Sequence, residues 1–217
     1  MNDSQQCKLC GSDTEIVMEE PIYYHCPNCD FIFIDDEFII DYEEEKGVYD
    51  QHENSLENEG YVNMFKDFIA RAITPHKEDI RTALEFGSGP GPVLAHLLKE
   101  EGVKIIDIYD PYFAPEKIFH GKKYDLITST EVFEHFSEPY KEIEMLKKHL
   151  DQDGIMVIMT LFHNYGSDDF DFSDWWYIRD KTHISFYSPK TFEWIADHFD
   201  LELIYHDEKR IVTMKIK

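Results

Sequence analysis

The chain has 217 residues, of which 42% are hydrophobic and 15% aromatic, enough for one packed domain with a small appendage and too many for a disordered polymer. No stretch reaches the roughly 18 apolar residues of a membrane span, and the polar start MNDSQQCKLC lacks the apolar run of a signal peptide, so a cytoplasmic protein is expected. The formal net charge is −24, and Lys8 and Lys46 are the only basic residues among the first 60, which disfavours nucleic acid as a partner.

Residues 1–35 hold all four cysteines between short β-type runs, TEIVM, IYYHC and FIFI. Cys7-Lys-Leu-Cys10 and Cys26-Pro-Asn-Cys29 have the C-x₂-C…C-x₂-C spacing of a four-thiolate zinc ribbon. Two disulfides are the alternative, disfavoured where no export signal is seen. Four protein ligands close the coordination sphere, so the expected Zn²⁺ is structural. In so short a segment the metal replaces a core.

Residues 36–79 begin as an acidic connector and turn helical, with Tyr61, Phe65, Phe68, Ile69 and Ala72 on one face. From residue 80 to 217 strands and helices alternate. RTALEF, KIIDIYD, YDLITST and DGIMVIMT read as strands. VLAHLLKEEG, PYKEIEMLKKHL and SPKTFEWIADHF read as helices, the last with Ser188 as N-cap and Pro189 at its first position. LELIYH and RIVTMKIK close the chain as two strands around a short acidic turn. The alternation predicts a doubly wound, mostly parallel α/β sheet, with one antiparallel strand from the closing pair.

The first of these strands ends in a glycine turn, LEFGSGPGP (84–92). A triphosphate loop needs Lys and then Ser or Thr after its last glycine; here Pro92-Val93-Leu94 follow. A dinucleotide turn needs glycine where Pro92 stands. What is left is E-x-G-x-G-x-G, from Glu85, Gly87, Gly89 and Gly91.

LEFGSGPG resembles the first motif of class I S-adenosylmethionine-dependent methyltransferases. Asp110, about twenty residues on at the end of KIIDIYD, matches the acid that in this family bonds both ribose hydroxyls. YDLITSTEVFEHFSEP (124–139) is similar to the family's fourth-strand motif, and LDQDGIMVIMT to the segment after it. The resemblance spans about residues 80–217 and implies a Rossmann-like domain. It places S-adenosylmethionine against Glu85, Gly87, Ser88, Gly89, Gly91, Asp110, Pro111 and Glu131. The glycines would let the backbone approach the methionyl end, where loop amides can meet its carboxylate. Only 13 residues (111–123) separate Asp110 from the next strand, too few for the usual helix and strand, so a shortened sheet edge is expected. Tyr112 and Phe113 then offer an aromatic wall, or plain edge packing.

An aromatic insertion at 161–187 carries nine aromatic residues and reads in its first half as a loop. These aromatics form either an acceptor box or core beneath the loop. WWYIRDKTHISFYS and Y-x-x-H-x-N (Tyr49, His52, Asn54) resemble a bacterial branch with a zinc ribbon, assigned by similarity to small-molecule O-methylation. The expected activity is methyl transfer to a small-molecule acceptor, at oxygen. Candidate bases are His163, which directly follows a strand end, then His135 and His183. The competing functions are a zinc-ribbon RNA methyltransferase and a non-catalytic S-adenosylmethionine-binding scaffold, with a nicotinamide oxidoreductase more distant. The acceptor and the oligomeric state are not written in the sequence.

Overall fold

The computed structural model describes residues 5–51, 54–76 and 78–217. Along the chain come β1 (Glu15–Glu19), β2 (Ile22–His25) and β3 (Ile32–Ile34), then helices α1 (Tyr42–Tyr49) and α2 (Glu59–Phe68). The α/β part follows as β4 (Thr82–Phe86), α3 (Val93–Glu100), β5 (Ile105–Tyr109), β6 (Tyr124–Thr130), α4 (Pro139–His149) and β7 (Leu150–Met159). It ends with β8 (Ser185–Phe186), α5 (Pro189–His198), β9 (Leu201–His206) and β10 (Ile211–Ile216). The helix starts have local causes: Asp41 caps α1, Asn58 caps α2, and Ser188 and Thr191 form a reciprocal capping box on α5.

The main sheet has six strands in the order β5-β4-β6-β7-β10-β9. β5, β4, β6 and β7 are parallel, and β10 lies antiparallel between β7 and β9. Its two faces are read directly from alternation along β7. Met156 and Ile158 point into the core with α4 and α5, while Val157 and Met159 point into the core with α2 and α3. The sheet stops at β5, as the short 111–123 segment requires. That segment forms turns, and its Phe119 is buried against Phe86 and Tyr109 where another strand would have packed.

A second sheet has the order β1-β2-β3-β8. Its fourth strand belongs to the aromatic insertion: Ile32 pairs with Phe186 and Phe33 with Ser185. The cysteine ribbon is therefore built into the α/β part. Cys7, Cys26, Cys29, Phe31 and Phe33 share one core cluster with Met156, Tyr187 and Phe192. Phe162, Phe172, Tyr177, Phe186 and Tyr187 are all buried in this joint. The insertion's aromatics are core, and only Trp176, 62% exposed, stands clear of it.

Candidate active site

Burial places a cavity of about 480 Å³ at the C-terminal ends of β4, β5 and β6, within the roughly 300–1,000 Å³ range of small-ligand pockets. From β4 the chain crosses to β5 on one side and then to β6 on the other, so the cavity lies at the topological switch point where open α/β sheets bind ligands.

The glycine turn forms one wall. Gly87 and Gly89 have φ of +86° and +62°, conformations that side chains rarely adopt. The Gly87 and Ser88 amides donate to the Tyr109 carbonyl at 2.7 and 3.2 Å, and the Gly89 amide donates to Asp110 Oδ2 at 2.8 Å. These three N–H groups therefore close the loop on β5 instead of facing the cavity, which corrects the expectation that they meet a ligand carboxylate. The close approaches the glycines allow are to protein as well. A Cβ on Gly87 would meet Val132 at 2.1 Å, and one on Gly91 would meet the Asn54 carbonyl at 2.0 Å.

Asp110 Oδ1 accepts from the Tyr112 and Phe113 amides at 2.9 and 3.0 Å. Each carboxylate oxygen has two lone pairs, and three of the four are taken by loop amides, so one acceptor position on Oδ2 remains for a ligand hydroxyl on this cavity-lining group. Glu85 is 3% exposed and accepts from the Ala95 amide in the first turn of α3 at 2.9 Å. Burial, opposed by that bond and reinforced by the charge of Asp110, pushes its carboxyl up to about 8. Glu85, Gly87, Ser88, Gly89, Asp110, Pro111 and Glu131 all line the cavity; Gly91 lies behind it against Asn54.

The acidic connector supplies a wall that the sequence reading missed. Glu45 accepts from the hydroxyls of Tyr49 at 2.8 Å and Tyr112 at 2.6 Å, and the Tyr42 ring stacks on Tyr112. Helix α1 is thereby fastened across the loop after β5. Tyr49, Asn54, Tyr61 and Phe65 line the cavity from the same stretch, and Tyr112 and Phe113 line it from the loop after β5, with the Tyr49 and Tyr112 rings 5.0 Å apart. His52 lies outside the described residues. The only visible signals were the helical period through Tyr61 and Phe65 and the Tyr49–Asn54 motif.

On the remaining side sit Glu131, Glu134, His135 and His183. Glu131 follows β6 at φ +53° and opens into the cavity, although protein surrounds its carboxyl. Glu134 is fully buried. The Tyr177 hydroxyl bonds Glu134 Oε1 and lies 3.2 Å from Glu131 Oε2, tying the two carboxyls together. Burial and mutual repulsion push Glu131 well above the usual carboxylate range, and burial raises Glu134. His135 and His183 face the cavity, with their rings 5.0 Å apart.

His163 is elsewhere. It is 1% exposed, its Nε2–H donates to the Asp30 carbonyl at 2.8 Å, and burial lowers its pKa to about 4. It does not line the cavity. The structure removes it as the best-placed base: the chain after β7 turns beneath the ribbon, so proximity to a strand end did not bring it to the ligand. Asp30 is the hub of that joint. Its carboxylate meets His25 Nε2 at 2.8 Å and Ser188 Oγ at 2.5 Å.

The four cysteines converge, with all sulfurs within 4.8 Å, Cys7 and Cys29 at 3.6 Å, and Cys10 and Cys26 at 3.3 Å. A tetrahedral zinc with bonds of about 2.3 Å needs sulfurs about 3.8 Å apart, so the residues fit such an ion. Gly11 and Asp30, each just after a second cysteine, take φ of +71° and +61°, the turn that brings both sulfurs of a knuckle to one side.

A family profile described as "Methyltransferase domain" matches residues 56–206. The chain belongs to the methyltransferase domain family. Solved structures agree on the fold. An O-methyltransferase family protein from Burkholderia thailandensis is 12% identical, with a TM-score of 0.54 over 83% of this chain and 62% of its own. The mitomycin 7-O-methyltransferase MmcR is 10% identical, with a TM-score of 0.52 over 83% and 60%. LaPhzM is 13% identical, with a TM-score of 0.50 over 81% and 60%. The chain thus spans about three fifths of the length of these matched structures. No curated protein matches it. Among the described residues, no helix is long and apolar enough to cross a membrane.

Proposed function

We propose that this chain transfers a methyl group from S-adenosylmethionine to an oxygen of a small-molecule acceptor. The observation that carries the reading is the charge of the cavity. Glu45, Glu85, Asp110, Glu131, Glu142 and Asp180 line it, and no lysine or arginine does among the described residues. Such a wall repels the phosphates of nucleotides and suits a ligand bearing a sulfonium and an ammonium.

Bound there, S-adenosylmethionine would supply an electrophilic methyl group on positive sulfur. Asp110 would hold a ribose hydroxyl through the acceptor position that its loop amides leave open on Oδ2. Tyr112, Phe113 and Tyr49 would exclude water and align the acceptor, the main requirement of methyl transfer. His135 and His183, which line the cavity, would take the proton of an acceptor hydroxyl. In the ribbon, Cys7, Cys10, Cys26 and Cys29 would hold a structural zinc that fixes β3 against β8.

The test is to incubate the protein and radiolabelled S-adenosylmethionine with a whole-cell extract that holds both small molecules and RNA. A labelled small molecule, absent with Asp110→Ala, is expected. Label appearing only in RNA would establish the nucleic-acid alternative, and tight cofactor binding with no labelled product would favour a scaffold.

A further inference from the structure

On the wall opposite the glycine turn, Glu134 and His135 leave the 3₁₀ turn after β6 and meet His183, which precedes β8. One ligand atom from each lies within 4.8 Å of the others. His135 Nδ1 sits 2.8 Å from the Thr182 carbonyl, and His183 Nδ1 sits 2.8 Å from the Tyr177 carbonyl. A carbonyl partner puts a proton on Nδ1, and in the neutral ring Nε2 is then the ligating nitrogen. This is the anchoring that orients metal-ligating imidazoles. Glu134 adds an independent observation: it is 0% exposed, Oε1 is held by Tyr177, and Oε2 is buried without a hydrogen-bond partner. An interior carboxylate oxygen left so is costly, and a cation removes the cost.

We propose that Glu134, His135 and His183 hold a divalent transition-metal ion open to the cavity, and that the acceptor presents to it a hydroxyl with a second oxygen donor alongside. This rests on the methyl-transfer reading above. Two imidazoles and one carboxylate suit zinc, cobalt, manganese or iron better than the all-oxygen preference of magnesium or calcium. Three protein ligands leave coordination positions for two substrate oxygens, and the ion lowers the pKa of a hydroxyl bound to it. The acceptor O–H then ionises with its proton passing to water. The oxygen forms a bond to the methyl carbon as the carbon–sulfur bond breaks, and sulfur keeps the electron pair as a neutral thioether. Nothing is oxidised or reduced. His135 and His183 act in this scheme as ligands rather than as proton acceptors, and Asp180, whose Oδ2 lies 3.8 Å from His183 Nε2, is the adjacent carboxylate.

Cobalt(II) titration of the metal-free full chain separates the two sites by colour. The cysteine site gives an intense thiolate-to-cobalt charge-transfer band, whereas a nitrogen–oxygen site gives only weak visible bands. Two equivalents are expected in the wild type, the second without charge transfer. His183→Ala and Glu134→Gln should each bind one, with the thiolate band retained as a sign that the fold is intact. A wild type that stops at one equivalent, or a second equivalent that persists in His183→Ala, overturns the site. Adding catechol with S-adenosylhomocysteine present should shift the weak bands, and unchanged bands overturn the chelating acceptor. Calorimetry of S-adenosylhomocysteine on the same sample tests the methyl-transfer reading separately, since cofactor binding does not require the second ion.

Discussion

The ribbon joint closes its polar groups on one another, whereas the cavity gathers six acidic side chains on one lining. At the joint, Asp30 satisfies His25, Ser188 and His163 at once, and burial works against a charged His25 while Asp30 and Glu15 outweigh it and raise its pKa. In the cavity, Glu131 and Asp180 have no lysine or arginine beside them on the lining among the described residues. Closed pairing of this kind serves stability, and uncompensated charge serves a ligand. His163 and His183, twenty residues apart on one insertion, fall on opposite sides of that division.

The largest expected effect comes from breaking the joint. Cys26→Ser should destabilise the whole chain by on the order of 3 kcal/mol or more, in a single urea transition, because the cysteine cluster and α5 share one core. A second transition, with the α/β part unfolding at its wild-type midpoint, would make the ribbon an independent appendage.

Next, the two histidines should separate cleanly. His163→Ala removes a buried hydrogen bond and should cost about 2–3 kcal/mol of stability, with turnover per folded molecule kept. His183→Ala should do the reverse, lowering turnover by roughly ten-fold or more with the denaturation midpoint near wild type. Exchanged outcomes would reassign the regions.

How far the sequence anticipated this division depended on the range of the contacts. The glycine turn, Asp110, the missing edge strand and the cysteine spacing are local patterns, and each is placed as the chain order implied. The α1 wall was read as a connector, because nothing near Glu45 announces that Tyr112, 67 residues away, donates to it. His163 was misplaced for the same reason: its partner, Asp30, lies 133 residues earlier. The Glu131–Tyr177–Glu134 link joins residues 46 and 43 positions apart, on segments that the Ile184 amide also ties together through the Glu134 carbonyl.

Gly91→Ala probes the boundary between turn and connector. Its Cβ would sit 2.0 Å from the Asn54 carbonyl, so the connector must shift; a cost of about 1–3 kcal/mol is expected in urea denaturation. A neutral result would show that Asn54 moves freely off the turn.

Glu85→Gln should have the smallest effect. With the carboxyl raised from 4.5 to about 8, the folded protein holds a proton that the unfolded chain has released. Its stabilising contribution is therefore complete below about 4.5 and is lost as pH rises through about 8. Near pH 5 glutamine mimics the protonated acid, so stability should change little there, while the fall in midpoint between pH 5 and pH 8 flattens and leaves the variant the more stable of the two at pH 8. An unchanged slope would contradict the raised carboxyl.

The central claim is that the acidic switch-point cavity holds the methyl donor through Asp110. Titration calorimetry of S-adenosylhomocysteine tests it directly: one site per chain is predicted, weakened about 10- to 100-fold by Asp110→Ala through loss of a charge-assisted hydrogen bond worth about 1.5–3 kcal/mol. Absence of binding to the wild type, or equal affinity in the variant, would contradict it.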